Sequence, residues 1–416
     1  MDSLIVTPSG PLSGEVRISG AKNSVLKLMT ATVLAPGRYV LSNVPQISDV
    51  EWMAELLGSL GLSISWLAKG TLEIVTPDEI GCSAPYELVE RMRASTALIG
   101  ALLSRCGHAS VAMPGGDDFG VRPIDIHLRG LESLGASFAL DHGTIVGDVD
   151  QLVGGHVVLE YPSVGATENL MMAASRATGT TIIDNAAREP EIADLASFMN
   201  RMGARVIGAG STTITIEGVE SLHATDHEVV PDRVEAVTYL SFLGAAHGEL
   251  LLVGARTDHL AMVMTKFGEA GMRISPDARG VWARVTDRPK PISVSTLPYP
   301  GIATDYLPLL VAMQSVADGT SYATENLFQG RFRYVGELAR LGADIEVEGH
   351  HLLIRGVPHL SAAPVKAFDI RAGAALITAA LAAQGESTIH EAHHIARGYD
   401  DLVGKCAGIG INLVAS

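Results

Sequence analysis

Basic side chains recur at the starts of the segments that the sequence predicts to be helices. Lys22 stands with Asn23 at the start of one such segment, and Arg93 and Arg371 stand at the starts of two others. Helix N-termini present unpaired N–H groups and the positive end of the helix dipole, and both favour phosphates and carboxylates. A second set of helix starts carries Arg122, Arg188, Arg331 and Arg397. The pattern predicts a site for a polyanionic substrate.

Other polar residues fill the same position in the remaining segments, at Ser163, Arg233, Asp305 and Asp369. A single surface arginine is more often part of an exposed ion pair than a ligand. The prediction of a binding site therefore depends on recurrence at one structural position rather than on any one residue. Lys22 and Asp305 are the strongest individual candidates, since Asp305 follows Pro300 and Gly301 at a predicted turn.

The stretch MPGGDDFGVRP, residues 113–123, combines ionisable groups with backbone freedom. Asp117 and Asp118 are adjacent like charges between glycines, and Arg122 follows them. Neighbouring anions and loss of water both raise the pKa of a carboxyl group, so paired acids can retain a proton that a lone acid would release. The alternative is that Asp118 is merely solvated on a loop, because paired carboxylates are not always tuned.

A repeated unit positions these residues along the chain. The pattern x-Gly-x-x-apolar recurs six times at spacings of 74, 68, 68, 71 and 68 residues, at Gly61, Gly135, Gly203, Gly271, Gly342 and Gly410. Glycine just past a helix is the usual C′ residue, and β-like residues follow it here. The repeat predicts six α/β units in two groups of three. Residues 221–228, SLHATDHE, read as a polar join between the two groups.

Composition and charge exclude several functional classes. The formal net charge is −16, which argues against nucleic-acid binding, because that needs a basic face. No apolar run reaches the roughly 18 residues of a membrane span, and the first residues resemble no secretory signal. Cys82, Cys106 and Cys406 have no metal-ligand spacing, and we expect buried small side chains at all three. These features predict a reduced, cytoplasmic protein without a membrane partner.

The histidines do not indicate a metal site, and the glycines form no motif of a loop that binds nucleotide phosphates. The adjacent pairs His350–His351 and His393–His394 would point apart on a strand, so we expect no metal site. The sequence also lacks the GxxxxGK[ST] loop and a well-placed GxGxxG motif.

Nine stretches together resemble the enolpyruvyl transferases along the whole chain. They are LSGEVRISGAKN (12–23), PGGDDFGVRPIDIH (114–127), YPSVGATEN (161–169), NAAREPEI (185–192), PDRVEA (231–236), TLPYPGIATD (296–305), GRFRYV (330–335), DIRAG (369–373) and ARGYD (396–400). The resemblance implies an α/β fold of two inside-out, barrel-like domains, each of three βαβαββ repeats. It implies one domain of residues 1–21 with 230–416, and a second of residues 22–229 that carries a mobile loop at 113–123.

The resemblance is strongest to the branch that acts on UDP-N-acetylglucosamine in peptidoglycan precursor synthesis. That branch joins C2 of phosphoenolpyruvate to the 3′-hydroxyl of the sugar nucleotide, through a tetrahedral ketal that then loses phosphate. Phosphoenolpyruvate and a uridine nucleotide are therefore the expected partners, and no cofactor or metal is implied.

The resemblance also assigns roles to residues. Asp117 matches the general acid, where most members carry a cysteine, and Asp305 matches the general base for the sugar hydroxyl. Lys22, Arg122 and Arg397 match residues on the phosphate and carboxylate of phosphoenolpyruvate. The other matched substrate contacts are Asn23, Arg93, Pro123, Ile124, Asp125, Ile126, Ser163, Val164, Gly165, Leu327, Arg331, Asp369 and Arg371. Fosfomycin inactivates the family by alkylating the loop cysteine, so an aspartate there predicts resistance.

Departures from the family pattern leave the acceptor open. The usual FENRF is FQGRF here, with Gln329 and Gly330, and the usual GFPTDxQ is GIATDYL, with Ala303 and Leu307. One alternative is a paralogue that acts on another uridine nucleotide, such as UMP in nucleoside-antibiotic synthesis. Another is a non-catalytic paralogue that binds a sugar nucleotide and regulates a partner.

Overall fold

The computed structural model describes residues 2–8, 10–113, 124–328 and 330–416. The chain forms two compact units. The terminal unit combines the described residues up to Ser19 with Pro231–Ser416, and the middle unit holds those from Gly20 to Val230. Among the described residues, no helix is both long and apolar enough to cross a membrane.

Helices and strands alternate along both units. The helices of the middle unit are α1 (Lys22–Ala31), α2 (Ser48–Ser59), α3 (Tyr86–Val89), α4 (Leu98–Cys106), α5 (Asp125–Glu132), α6 (Val164–Ala174) and α7 (Pro190–Arg201). Those of the terminal unit are α8 (Arg233–Ala246), α9 (Ala261–Glu269), α10 (Leu307–Gln314), α11 (Arg333–Arg340), α12 (Ile370–Leu381), α13 (His393–Ala396) and α14 (Leu402–Gly408). Short 3₁₀ helices cover Thr32–Leu34, Arg93–Ala97 and Thr257–His259.

The strands divide between the units in the same way. The terminal unit has β1 (Ser3–Thr7), β2 (Leu12–Arg17), β15 (Gly248–Val253), β16 (Arg273–Asp277), β17 (Gly280–Val285), β18 (Ser293–Ser295), β19 (Thr320–Thr324), β20 (Asp344–Glu348), β21 (His351–Arg355), β22 (Leu360–Ser361), β23 (Pro364–Lys366), β24 (Ala383–Gln384), β25 (Ser387–His390) and β26 (Asn412–Ala415). The middle unit has β3 (Gly37–Ser42), β4 (Ser63–Ala68), β5 (Thr71–Thr76), β6 (Ser83–Ala84), β7 (His108–Ala112), β8 (Ser137–Asp141), β9 (Thr144–Asp148), β10 (His156–Val158), β11 (Thr180–Asp184), β12 (Arg205–Ile207), β13 (Thr213–Glu217) and β14 (His227–Glu228).

Six four-stranded sheets share one topology. Each begins with a parallel pair and continues with two antiparallel pairs, as in β18–β19–β21–β20. The others are β14–β3–β5–β4, β6–β7–β9–β8, β10–β11–β13–β12, β2–β15–β17–β16 and β23–β25–β1–β26. The predicted six-fold α/β repeat is therefore confirmed, with three sheets in each unit. The N-terminal strands complete two sheets of the terminal unit, where Leu4 pairs with Ile389 and Leu12 with Gly248.

Buried helices form the centre of each unit. Every residue of α10 and α12 is buried, and so is α8 from Arg233 to Ala245. A helix that is apolar on all sides must be enclosed, which explains the Ala-rich segments of the sequence. Small residues also allow close helix packing, because any side chain at Gly244 of α8 would collide with Met313 of α10. Helices inside and sheets outside give each unit its inside-out arrangement.

The six repeated glycines follow the second helix of each repeat. All six have φ between +87° and +101°, at Gly61, Gly135, Gly203, Gly271, Gly342 and Gly410. L-residues rarely adopt this conformation, so glycine is needed where the chain leaves the helix and turns into the next strand. The predicted helix-ending role is confirmed at each position.

The expected polar join at residues 221–228 was wrong. His227 and Glu228 form β14, which pairs with β3 in the first sheet of the middle unit. Asp226 accepts a hydrogen bond from the Val40 backbone N–H at 3.0 Å, and His227 is buried. The polar composition of this segment suggested a linker. An edge strand can nevertheless be polar, because the hydrogen bonds between strands are made by main-chain groups.

Candidate functional site

The carboxylate of Asp305 is held by two buried arginines in the terminal unit. Arg331 donates from Nη2 to Oδ1 at 2.8 Å, and Arg371 donates from Nε to Oδ2 at 3.2 Å. The Asp305 side chain is 27% exposed, whereas the two arginines are 3% and 4% exposed. The arginines therefore lie beneath the carboxylate and fix its orientation, while one edge of it reaches the surface of the unit.

Both guanidinium groups remain charged despite burial. Burial alone lowers the pKa of Arg331, but Asp305, Asp369 and Glu325 more than offset it, so the pKa is raised above its ordinary value. Burial also lowers the pKa of Arg371, and Tyr399, Asp305 and Asp232 reverse that effect. A buried arginine with several acidic neighbours is a fixed positive charge at every physiological pH.

Glu325 organises the turn that carries Asp305. Its buried carboxylate accepts from the Thr304 hydroxyl at 2.6 Å and from the Leu327 backbone N–H at 2.8 Å. The Thr304 oxygen in turn accepts from Nη1 of Arg331 at 2.7 Å. One hydrogen-bonded chain therefore runs from Glu325 through Thr304 and Arg331 to Asp305, and each member restricts the next.

Helix caps limit which helix starts can hold an anion. The side chains of Asp232 and Asp369 accept hydrogen bonds from the first N–H groups of α8 and α12. Those N–H groups already face a carboxylate, which leaves fewer of them for an anionic ligand at these two helix starts. Asp369, predicted to contact substrate, is the N-cap of α12. By contrast, α1 begins without a side-chain cap and has no acidic residue in its first turn.

Arg397 lies at the end of α13 rather than at the start of a helix. It is the C-cap residue of that short helix and is buried. Arg188 precedes α7 and is half-buried. Leu327 is half-buried, and its backbone N–H donates to the carboxylate of Glu325, two residues earlier.

Lys22 is the first residue of α1 in the middle unit. Its ammonium group lies 2.8 Å from a carboxylate oxygen of buried Asp49 on α2, and the lysine itself is half-buried. The helix begins there because the Ala21 N–H donates to the Val230 carbonyl at 2.7 Å, while the Ala21 carbonyl accepts from Val25. Asn23 is exposed beside Lys22. An uncapped helix start with an adjacent ammonium group is suited to a phosphate or carboxylate.

A neutral histidine lies beneath the predicted nucleotide contacts. The pKa of His127 is lowered to about 4, first by burial and then by the charges of Arg93 and Lys27. Asn169 lies 2.8 Å from Nδ1 of His127 through its amide nitrogen, which can only donate. The proton of the neutral ring is therefore on Nε2. A Cβ at Gly165 would lie only 2.8 Å from Cε1 of this ring, so glycine is required there.

The other predicted nucleotide contacts have varied surroundings. Ser163 is the N-cap of α6 and accepts from the Ala166 N–H at 3.3 Å. Val164 and Ile126 are half-buried, and Ile124 lies in the core of the middle unit. Exposed Asp125 pairs with Arg129 one helical turn later, at 2.7 Å. Asp117, Arg122 and Pro123 lie outside the described residues, as does Gln329.

Three residues of these networks were not identified from sequence: Glu325, Asp49 and His127. Glu325 carries no local signal, because its partners Thr296 and Thr304 lie 29 and 21 residues away. Asp49 stands in the first turn of α2 and resembles any acidic residue at a helix start. His127 ends the matched stretch PGGDDFGVRPIDIH, which is a signal that could have identified it.

Two cysteines, Cys106 and Cys406, give little reactive thiolate. Burial raises the pKa of Cys406 to about 12. Burial and then the neighbouring Cys82 thiol raise the pKa of Cys106 to about 12. Since the thiolate is the nucleophile, these two thiols are inert at neutral pH. Cys406 is buried as expected, whereas Cys82 and Cys106 are half-buried.

Comparisons with known proteins give one consistent result. The family model described as EPSP synthase (3-phosphoshikimate 1-carboxyvinyltransferase) matches residues 6–406. The UDP-N-acetylglucosamine 1-carboxyvinyltransferase of Corynebacterium jeikeium (strain K411) is 46% identical over 98% of this chain and 98% of its own. The protein of the same name from Mycobacterium tuberculosis (strain CDC 1551 / Oshkosh) is 46% identical over 99% of this chain and 98% of its own.

A solved structure also matches almost the whole chain. The enolpyruvyl transferase NikO from Streptomyces tendae superposes with a TM-score of 0.89 and 26% identity, over 99% of this chain and 98% of that one. The predicted fold, with three repeats in each unit, is therefore shared with a solved relative.

Proposed function

The chain belongs to the enolpyruvyl transferase family whose model is described as EPSP synthase (3-phosphoshikimate 1-carboxyvinyltransferase), and we propose that it uses UDP-N-acetylglucosamine as acceptor. It transfers the enolpyruvyl group of phosphoenolpyruvate to the 3′-hydroxyl and releases phosphate, in peptidoglycan precursor synthesis. The observation that carries this proposal is 46% identity over 98% of the chain to a protein named for that reaction. Identity to the solved enolpyruvyl transferase NikO is only 26%.

Asp305 acts as the general base in this proposal. The acceptor hydroxyl gives its proton to the carboxylate while its oxygen attacks C2 of phosphoenolpyruvate. Each carboxylate oxygen has two lone pairs, so a hydrogen bond from Arg331 or Arg371 still leaves each oxygen able to accept another. Fixing the carboxylate before substrate arrives supports catalysis, because a misplaced base loses much of its effect.

Three basic residues are the proposed contacts of phosphoenolpyruvate. Lys22, at the uncapped start of α1, and buried Arg397 offer charge to its phosphate and carboxylate, and Arg122 is the third member by resemblance. The same groups stabilise the charge of the tetrahedral intermediate and of the departing phosphate. Asn23, exposed next to Lys22, contacts the reacting groups in this scheme.

The middle unit binds the nucleotide sugar. Arg93 and the start of α6, from Ser163 to Gly165, are its proposed contacts, together with residues 123–126. His127 supports this surface from below, since its neutral ring packs against Gly165. A neutral ring adds no repulsion to Arg93 and leaves that guanidinium to interact with a diphosphate.

Asp117 supplies the proton to C3 of phosphoenolpyruvate. At an ordinary pKa near 3.9, only about one molecule in a thousand would be protonated at neutral pH. The acid role therefore needs the neighbouring Asp118, the bound phosphate and the exclusion of water to raise the pKa. Asp117→Asn should lose nearly all turnover, because an amide cannot release a proton at this pH.

Fosfomycin tests the acid assignment separately from the acceptor. A carboxylate opens an epoxide less readily than a thiolate, so we expect the wild type to resist time-dependent inactivation. Asp117→Cys should remain active and become sensitive, with a covalent adduct visible by mass spectrometry. Covalent inactivation of the wild type at Asp117, or full turnover by Asp117→Asn, would show that Asp117 is not the acid.

Phosphate release tests the acceptor. Wild-type protein with phosphoenolpyruvate should release phosphate with UDP-N-acetylglucosamine and not with UMP or without acceptor. The sequence departs from the family pattern at Ala303 and Leu307, which lie two residues before and two residues after Asp305. These two changes are the observation that favours a different uridine nucleotide. Release with UMP alone would establish that paralogue, and release with neither would establish a binding protein.

A further inference from the structure

The terminal unit contains a cluster of nitrogen and oxygen donors that the transferase reaction does not use. Ligand atoms of Glu391, His393 and His394 all lie within 4.8 Å of one another. Within the described residues, this is the one group of three or more such side chains close enough to share an ion. The three fall in the His-rich tract HEAHH, residues 390–394, a composition that is typical of metal binding.

The local backbone brings the two imidazoles together, contrary to the expectation from sequence. The rings of His393 and His394 have centroids 4.3 Å apart and planes inclined by 34°. They would point apart on a strand, but the strand β25 ends at His390 and both residues begin α13. Glu391 makes the turn between these elements with a φ of +57°. The turn directs its carboxylate back toward the helix.

The carboxylate of Glu391 divides its two oxygens between neighbours. Oε1 lies 3.2 Å from the Lys366 ammonium group, and Oε2 lies 3.5 Å from Nδ1 of His393. The lysine therefore engages one oxygen and leaves the other beside the imidazoles.

We propose that Glu391, His393 and His394 bind a divalent transition-metal ion of the zinc class. Two imidazoles and one carboxylate, with a water completing the tetrahedron, form a common open zinc site. Ligand atoms about 2.1 Å from a zinc ion are roughly 3.4 Å apart, so rotations about side-chain bonds suffice to close the cluster. Glu391 and His393 are 41% and 55% exposed, which gives an ion direct access.

A second histidine pair provides a matched control. His350 and His351 also have ring centroids close together, at 4.2 Å, but no carboxylate completes a three-ligand cluster with them in the described ranges. His351 instead lies 2.9 Å from the Thr324 hydroxyl through Nδ1. Removing one imidazole from each pair therefore distinguishes metal binding at the Glu391–His393–His394 cluster from weak binding by any exposed histidine pair.

The experiment is calorimetric titration of tag-free, chelator-treated full-length protein with zinc chloride. Wild type should bind one ion at this site, and His393→Ala and Glu391→Gln should each weaken binding by more than about tenfold, the lower limit even for outer-shell partners. His351→Ala should bind as wild type does. In parallel, zinc should shift the imidazole resonances of His393 and His394 in the NMR spectrum. No saturable binding, or equal weakening by His351→Ala and His393→Ala, would overturn the proposal.

Discussion

The two units use one scaffold to hold opposite charges. Each has three four-stranded sheets around buried helices, and in each a candidate residue stands at or just before the start of a buried helix: Lys22 at α1 and Asp305 before α10. In the terminal unit, a carboxylate at Asp305 lies above the buried cations Arg331 and Arg371. In the middle unit, a cation at Lys22 lies against buried Asp49. The scaffold therefore fixes position, and the side chain at that position decides the chemistry.

Helix capping extends this contrast. Asp232 and Asp369 neutralise the starts of α8 and α12 in the terminal unit, whereas α1 of the middle unit starts without a side-chain cap. At these two starts in the terminal unit a carboxylate already occupies the N–H groups, and the positive charge beside Asp305 comes from arginines. The middle unit leaves at least one helix dipole to an anionic ligand.

The largest expected effect on activity is at Asp305, the carboxylate that the terminal unit holds above two buried arginines. Asp305→Ala should lower kcat by about 10²- to 10⁴-fold, the usual contribution of a general base, while UDP-N-acetylglucosamine still binds. Steady-state kinetics and calorimetric titration with the nucleotide measure the two properties. Asp318→Ala is the matched control, because Asp318 is exposed and pairs with Arg288 on the surface. Near wild-type turnover by Asp305→Ala would show that Asp305 is not the general base.

A largely buried lysine–glutamate pair lies in each unit, and breaking it should destabilise that unit. Lys27 lies 2.7 Å from Glu168 in the middle unit, and Lys405 lies 2.6 Å from Glu235 in the terminal unit. Removing one partner of a buried pair costs about 3–5 kcal/mol. Lys27→Met and Lys405→Met should therefore lower the free energy of unfolding by that amount at neutral pH.

The pH dependence of these variants follows from the carboxyl groups. Burial raises the pKa of Glu168 and of Glu235, and the lysine only partly opposes it. A raised folded-state pKa contributes stability below the unfolded value, near 4.3, and this is lost as pH rises through the folded pKa. Without the lysine the pKa rises further, so the defect should be larger at pH 8 than at pH 5.

Tryptophan fluorescence during urea unfolding can assign each defect to a unit. Trp282 belongs to the terminal unit, and Trp52 and Trp66 belong to the middle unit. A Trp282→Phe background reports on the middle unit alone, and a background with both Trp52→Phe and Trp66→Phe reports on the terminal unit through Trp282. If Lys27→Met shifts the Trp282 transition as much as that of the middle unit, the units unfold together and their stabilities cannot be separated.

What the sequence could predict depends on the range of the interactions involved. The glycines that end each second helix were identified because a positive φ imposes a local requirement for one residue type. Glu325 was missed because its role depends on partners that only the fold brings near. The strand at His227 and the closeness of the His393 and His394 rings were misread from sequence, because backbone pairing and turn geometry, rather than composition, determine them.

A smaller effect is expected at the proposed contacts of phosphoenolpyruvate. Arg397→Ala should raise the KM for phosphoenolpyruvate by roughly 10- to 150-fold, which corresponds to the 1.5–3 kcal/mol of a hydrogen bond to a charged group. The melting temperature should change little, because the role proposed for this buried arginine is to bind substrate. Arg397→Lys keeps the charge and should recover part of the loss. A variant that unfolds at a much lower temperature would make Arg397 a structural residue.

The smallest effects are expected from variants of Ser163 and Asp369, which test whether each side chain caps a helix, contacts substrate, or does both. Both side chains cap helices, at α6 and α12, and loss of a cap typically costs about 0.5–2 kcal/mol. Ser163→Ala should therefore lower the stability of the middle unit by that amount and also raise the KM for UDP-N-acetylglucosamine. Ser163→Asp restores a capping oxygen but adds a negative charge facing the diphosphate, so stability should recover while the KM stays high. Asp369→Asn keeps a capping oxygen and should leave stability nearly intact. If Ser163→Asp recovers both properties, Ser163 serves only to cap α6, and the nucleotide contact must be sought elsewhere on the middle unit.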